Sequence, residues 1–120
     1  MPAKGLKILV CGGRNYGNYQ HVSEVLNEIE PRFIIHGAAK GADRLGGRYA
    51  KEHGIECRAY PANWRPKGPA GPVNYRAGFD RNQQMLDEGK PELVVAFPGE
   101  TGTDDMIKRA RAAGVEVMRA

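Results

Sequence analysis

Short apolar runs alternate with amphipathic segments along almost the whole chain. The runs end at or near glycine or proline, which is typical of buried parallel strands, and they lie at residues 7–11, 33–36, 55–60, 93–97 and 115–118. Apolar residues at helical spacing between them predict helices at 19–30, 42–53, about 79–88 and from about 104 to 114. The remaining segment, 61–76, contains several prolines and glycines and predicts a long irregular loop with a functional role.

The alternation of strands and helices determines the expected architecture. Parallel strands joined by helices need right-handed crossovers, so the pattern predicts an α/β fold in which a five-stranded, mainly parallel sheet has helices on both faces. A chain of 120 residues can close one hydrophobic core, and we expect a single Rossmann-like domain over residues 1–120. Ligands of such sheets bind outside the carboxyl ends of the strands, where the loops after the first, second and fourth strands meet.

The composition narrows the range of partners without choosing one. The 16 glycines are about twice the average share, and the net charge of +4 favours anionic partners in general. We interpret Cys11 and Cys57 as reduced core thiols, and His21, His36 and His53 have no metal-ligand spacing, so we expect neither a metal nor a cofactor. No apolar stretch suits a membrane helix and no secretion signal is evident, which predicts a cytoplasmic protein.

The loop after the fourth strand has the strongest pattern of a binding site. Its glycines allow backbone N–H groups to approach a bound anion, and the N-terminus of the next helix adds partial positive charge. Thr103 either caps that helix or donates to a phosphate oxygen, and a well-capped turn without a ligand is the alternative. The predicted ligand-binding residues of this loop are Pro98, Gly99, Thr101, Gly102 and Thr103.

The loops after the first and second strands repeat this pattern. Gly12 and Gly13 precede Arg14, whose guanidinium suits a phosphate, although a surface arginine in a tight turn would have the same sequence. In the second loop Asp43 is either a helix cap or an acceptor for a ribose hydroxyl. The other predicted ligand-binding residues of the second loop are Gly37, Lys40 and Gly41.

The long proline-rich loop contains the single tryptophan of the chain. Trp64 is followed by Arg65 and Lys67, a combination that suits a base-stacking lid with basic phosphate contacts. A tryptophan that fixes the loop onto the core would give the same pattern. The sequence therefore leaves both roles open for Trp64.

Separated motifs at residues 11–14, 37–43, 60–64, 70–72, 81–85 and 96–106 occur in a recognisable order. In content and order they resemble the YspA-like (DUF2493) branch of the SLOG superfamily, a Rossmannoid group that also contains the LOG phosphoribohydrolases and the DNA-processing protein DprA. This resemblance covers nearly the whole chain. It implies a nucleotide or ADP-ribose-like ligand, polar ligand contacts from Arg81 and Asn82, and, by analogy with LOG proteins, a homo-oligomer.

The last of these motifs differs from its counterpart in LOG enzymes. Those enzymes have a PGGxGTxxE signature, whereas here Glu100 replaces the second glycine and Met106 replaces the final glutamate. Cleavage of an N-glycosidic bond needs a carboxylate, so Asp105 and Glu100 are the remaining catalytic candidates. Asp105 also suits a structural role as a favourable charge in the first turn of a helix.

Three functions follow from the sequence. The first is a sensor or sequestering module that binds a nucleotide-derived small molecule, and the second is a phosphoribohydrolase-type enzyme that acts on such a ligand. The third, DprA-like nucleic-acid binding, ranks last because the chain lacks the clustered basic and aromatic surface expected for single strands.

Overall fold

Strands and helices alternate through the part of the chain that the computed structural model describes, residues 5–120. The strands are β1 (Lys7–Cys11), β2 (Phe33–His36), β3 (Glu56–Ala59), β4 (Leu93–Ala96) and β5 (Glu116–Arg119). The helices are α1 (Tyr19–Ile29), α2 (Ala42–Glu52), α3 (Ala77–Gln84) and α4 (Thr101–Ala112), and a π-helical turn at Met85–Gly89 continues α3. The predicted α/β fold class is confirmed.

The five strands form one fully parallel sheet in the order β3-β2-β1-β4-β5. The chain builds outward from β1 to β3, crosses back over the sheet, and then builds outward from β4 to β5. The direction of winding therefore reverses between β1 and β4, which are hydrogen-bonded neighbours. The loops after these two strands lie side by side at the position where Rossmann-like sheets bind ligands.

Helices cover both faces of the sheet and produce two hydrophobic cores. On one face Ile8 and Val10 pack with apolar residues of α1 and α2. On the other face Leu9 packs with residues of the π-helical turn and of α4, including the fully buried Met106. Because both of its faces are covered, β1 is a continuous apolar run rather than an alternating one.

Two helices begin earlier than the sequence predicts. Helix α4 begins at Thr101 rather than near Asp104, and α3 begins at Ala77 rather than near residue 79. Glycine suggested a loop at both places, but Gly102 lies within the first turn of α4. A glycine in a first turn is tolerated because the N–H groups there have no intrahelical partner to lose.

The prediction for the cysteines is half correct. Cys11 is buried beneath the loop that follows β1, and burial raises the pKa of its thiol well above the usual range. Cys57, predicted to be a core residue, is instead exposed on β3, where every residue of the strand is exposed. Strand β3 lies at the edge of the sheet. The apolar run at residues 55–60 looks like a buried strand and does not reveal the edge position.

Candidate functional site

A cleft of about 870 Å³ lies at the carboxyl ends of β1, β2 and β4. Loops after these strands form its walls together with residues 61–76, which we call the aromatic loop after its exposed Trp64 and Tyr75. The volume is in the range of sites for small-molecule ligands. The predicted site residues that line the cleft are Gly12, Gly13, Arg14, Gly37, Lys40, Asp43, Trp64, Arg81, Asn82, Pro98, Gly99, Glu100, Thr101, Gly102 and Thr103. Gly41 and Asp105 lie outside this lining.

Backbone hydrogen bonds join the three glycine loops to each other. The N–H of Gly13 donates to the carbonyl oxygen of Pro98 at 2.8 Å, and the carbonyl oxygen of Gly13 accepts from the N–H of Ala42 at 3.2 Å. A side chain at Gly13 would not fit, because a Cβ atom there would lie 2.9 Å from the carbonyl oxygen of Pro98. Gly13 therefore sets the spacing between the loops as well as lining the cleft.

The first turns of α2 and α4 both meet the cleft. In neither helix does a side chain accept a hydrogen bond from the N-terminal N–H groups, since the N-cap residues are Gly41 in α2 and Glu100 in α4. The prediction that Thr103 caps α4 is wrong, because Thr103 lies inside the first turn and is buried. The N–H of Ala42 already donates to Gly13, but a helix N-terminus without a side-chain cap keeps further donors and partial positive charge, which suits a bound anion.

Cationic side chains surround these helix ends. Arg14, Lys40 and Arg44 line the cleft and are exposed to solvent, so each can reach a ligand. Arg44 was not predicted from the sequence, although its place beside Asp43 in the first turn of α2 was a usable signal. The exposed carboxylate that lines the cleft is Glu100.

The buried carboxylate of Asp43 accepts hydrogen bonds from the backbone of the loop after β2. Its Oδ2 accepts from the N–H of Gly37 at 2.9 Å, and a further bond comes from the N–H of Ala39. The N–H of Ala38 donates to Nδ1 of His36 at 3.0 Å. Gly37 thus gives its N–H to the protein itself, and Asp43 does not act as the N-cap of α2. A direct contact of either residue with a ligand stays a prediction.

Burial dominates the electrostatics of this loop. Asp43 is only 6% exposed, and burial raises the pKa of its carboxyl to about 6 despite the nearby Arg81 and two backbone N–H donors. Burial and Arg81 also lower the pKa of His36. With its Nδ1 accepting a hydrogen bond, His36 is a neutral, satisfied buried histidine.

Arg81 and Asn82 connect the walls of the cleft. A guanidinium nitrogen of Arg81, Nη1, donates to the carbonyl oxygens of Gly37 and Tyr60. Asn82 is buried, and its Nδ2 donates to the carbonyl oxygen of Gly102, in the first turn of α4, at 3.2 Å. Both residues line the cleft, the bonds described here are with the protein, and a ligand contact from either stays a prediction.

Met106, which replaces the final glutamate of LOG enzymes, and its neighbour Asp105 both have clear structural roles. Met106 is fully buried in the core between α3, α4 and the sheet. Oδ2 of Asp105 accepts from Asn82 at 3.0 Å and from Arg109 at 2.8 Å, which joins α3 to α4. A catalytic role for Asp105 stays a prediction, and its carboxylate lies outside the residues that line the cleft.

Aromatic side chains form the remaining wall. Trp64 is 46% exposed and its ring also lies beside Gly78 at the start of α3. Tyr75, which the sequence analysis missed, is 83% exposed at the other end of the aromatic loop. Both line the cleft, and Tyr16 lies opposite, stacked on Phe97. Trp64 therefore both packs against α3 and lines the cleft, and its stacking on a base stays a prediction.

Two features are absent from residues 5–120, the part of the chain that the structure describes. No group of His, Cys, Asp and Glu side chains in this range is arranged to hold a metal ion. No helix in the same range has the length and apolar character needed to cross a membrane.

Two comparisons place the chain among known proteins. The Gene 61 protein of Mycobacterium phage D29 is 27% identical over 124 residues, which cover 93% of this chain and 94% of that protein. The crystal structure of Acinetobacter baumannii MurG superimposes with a TM-score of 0.57 at 16% identity, over 98% of this chain and 34% of MurG. This chain spans about a third of MurG, and the likeness shows a shared fold.

A family model provides the most specific match. It describes the YspA, cpYpsA-related SLOG family (YAcAr) and matches residues 6–66. The matched part contains β1, the loops after β1 and β2, α2 and the beginning of the aromatic loop, and it amounts to half of the chain. The resemblance stated from the sequence motifs is therefore confirmed: the protein belongs to the YspA, cpYpsA-related SLOG family.

Proposed function

We propose that the protein binds a nucleotide or a nucleotide-derived small molecule, such as an ADP-ribose-like compound, as a sensor or sequestering module. The observation that supports this most is the convergence of two uncapped helix N-termini on one cleft of about 870 Å³. Phosphate groups would accept from the N–H groups of α2 and α4, and Arg14 and Lys40 would balance their charge. The membership of the SLOG family agrees with this ligand class.

The aromatic loop would supply the site for the base. Trp64 and Tyr75 line the same cleft as the helix N-termini, and both present exposed ring surface. Stacking on an aromatic ring tolerates any base, because every base has a π-face. The proposed ligand therefore spans the cleft, with its phosphates on the glycine loops and its base on the aromatic loop.

The primary experiment is mass spectrometry of the small molecules that copurify with the protein, followed by calorimetry with ADP, ADP-ribose and inorganic pyrophosphate. Stoichiometric binding with recovery of intact ligand supports a binding module. Release of base or ribose phosphate would favour the hydrolase alternative, for which Glu100 is the carboxylate that lines the cleft. Binding of oligonucleotides alone, weakening steeply with salt, would favour the nucleic-acid alternative and contradict the proposal.

The cations of the cleft provide the first prediction. Arg14→Ala and Lys40→Ala are each expected to weaken pyrophosphate binding about tenfold, since each removes a charge-assisted hydrogen bond worth about 1.4 kcal/mol. The measurement is titration calorimetry at constant salt. Lys51→Ala is the matched control, because Lys51 is exposed in the last turn of α2, at the end opposite the cleft. An equal loss in that variant would mean that net charge, not the cleft, attracts the anion.

Trp64 provides the second prediction. Trp64→Ala is expected to weaken ADP binding about tenfold or more through loss of stacking, with a much smaller effect on pyrophosphate, which has no base. Trp64→Phe keeps an aromatic ring and should retain most of the affinity. Similar losses for ADP and pyrophosphate in Trp64→Ala would show that the tryptophan only supports the loop.

A further inference from the structure

Arg81 lies where three walls of the cleft meet. Its Nη1 donates to the carbonyl oxygen of Gly37, in the loop after β2, and to that of Tyr60 at 3.5 Å. Tyr60 is the last residue before the aromatic loop, so a single guanidinium group holds the glycine loop and the start of the aromatic loop together. Asp43, whose Oδ2 binds the N–H of Gly37, provides the opposite charge nearby.

The same guanidinium lies close to the tryptophan. A Cβ atom at Gly78 would lie 3.4 Å from Cη2 of Trp64 and 3.8 Å from Nη2 of Arg81, so both groups approach one point on the first turn of α3. The aromatic loop is closed on itself by the bond from the N–H of Asn74 to the carbonyl oxygen of Trp64, at 2.7 Å. A displacement of Arg81 would therefore be transmitted to the position of Trp64.

Arg81 is also connected to the helix on the other side of the cleft. Its Nε donates to Oδ1 of Asn82 at 3.2 Å, and Nδ2 of Asn82 donates to the carbonyl oxygen of Gly102 in α4. Asn82 is 5% exposed, so this bond is shielded from water. A continuous set of hydrogen bonds thus links the N-terminal turns of α2 and α4, the proposed anion sites, to Arg81.

We propose that Arg81 is a positioning residue that couples occupancy of the phosphate loops to the placement of Trp64. A bound anion would draw the loop after β2 and the first turn of α4 together. It would thereby move the carbonyl groups of Gly37 and Gly102, to which Arg81 and Asn82 donate. The guanidinium then orders the aromatic loop before a base reaches it, so the two halves of the ligand bind cooperatively. This inference rests on the proposed function and concerns how the two subsites communicate.

The single tryptophan of the chain makes the coupling measurable. Inorganic pyrophosphate, which fills only the phosphate subsite, is titrated into the full chain while calorimetry records its binding and acrylamide quenching records the exposure of Trp64. In the wild-type protein we expect pyrophosphate to reduce the quenching of Trp64. In Arg81→Gln we expect pyrophosphate to bind up to about tenfold more weakly and the quenching to stay unchanged even at saturation.

Two further variants make this experiment decisive. Arg109→Gln is the matched control, because Arg109 also connects α3 with α4, through Asp105 and Gln83, but makes none of the bonds to Gly37 or Tyr60. It should respond to pyrophosphate like the wild type. If Arg81→Gln does not fold, Arg81→Lys replaces it, since a lysine keeps the charge but has no second nitrogen to donate to Asn82 while its ammonium group binds Gly37.

The outcomes separate the two proposals. Pyrophosphate binding without a response of Trp64, or an unchanged response in the folded Arg81 variant, overturns the coupling and leaves the proposed function intact. Failure of pyrophosphate, ADP and ADP-ribose to bind overturns the proposed function and the coupling with it. A response that disappears in the Arg81 variant and persists in Arg109→Gln supports both.

Discussion

Gly41→Ala is expected to lower the free energy of unfolding by about 3 kcal/mol and to abolish measurable pyrophosphate binding. Gly41 has φ of +83°, a left-handed conformation that costs other residues about 1–2 kcal/mol. A Cβ atom there would also lie 2.7 Å from the carbonyl carbon of Arg14 and even closer to the carbonyl oxygen of Gly13. These are backbone atoms that cannot rotate away, and overpacking of this kind adds about 1–3 kcal/mol.

The effect on binding follows from what the added methyl group displaces. The loop after β1 would move away from α2, and the bond from the N–H of Ala42 to Gly13 would be lost. Urea denaturation measures the stability, and calorimetry measures the binding. Gly54→Ala is the matched control, because Gly54 has φ of +65° but no atom within 4 Å of its Cβ position. It should cost only about 1 kcal/mol and leave binding unchanged.

Equal stability losses in the two variants would contradict the proposed contact between the loops. They would mean that the backbone conformation at Gly41 accounts for the whole effect. Unchanged pyrophosphate binding in Gly41→Ala would show that the phosphate site does not depend on the spacing of the loops after β1 and β2.

Asp43 provides the second large effect, which depends on pH. The stability of Asp43→Asn relative to the wild type is expected to rise by about 2 kcal/mol as the pH is raised from about 4 to about 7. Burial raises the pKa of the Asp43 carboxyl from 3.8 to about 6 in the folded protein, so the folded state binds this proton more tightly than the unfolded chain does.

The sign of the effect follows from this difference in proton binding. The stabilising contribution of Asp43 is complete below about pH 3.8 and is lost as the pH rises through about 6. Asparagine at this position does not titrate, so the difference between the two proteins isolates the carboxyl group. Urea denaturation of both proteins across this pH range is the measurement. Parallel pH profiles would show that Asp43 has the same proton affinity in the folded and unfolded chains.

Much of the fold could be predicted from the sequence, because the apolar runs are strong and their partners are close along the chain. All five predicted strands are present, and the strand after Pro91 begins at Leu93 as expected. The errors lie where the apolar pattern gives no information. Gly102 led to the prediction of a loop where the first turn of α4 lies. The edge position of Cys57 depends on the pairing order of the strands, which the apolar pattern does not specify.

The site could be predicted in outline for a related reason. Parallel strands bring their carboxyl ends to one edge, so the loops that follow β1, β2 and β4 had to meet. The hydrogen-bond partners of individual loop residues could not be predicted from the sequence. Gly37 looked like a phosphate contact, yet its N–H binds Asp43 and its carbonyl oxygen accepts from Arg81.

By itself, the sequence determined the order of strands and helices, the edge of the sheet where a ligand would bind, and the family to which the chain belongs. Only the tertiary structure decided which groups face the cleft and which serve the protein, because those bonds join residues far apart in the chain, such as Arg81 with Gly37 and Asn82 with Gly102. A buried polar group must find a partner, and hydrophobic periodicity does not specify which one it finds. The loop after β2 and the first turn of α4 are therefore held by hydrogen-bond donors of α3 that the apolar pattern could not indicate.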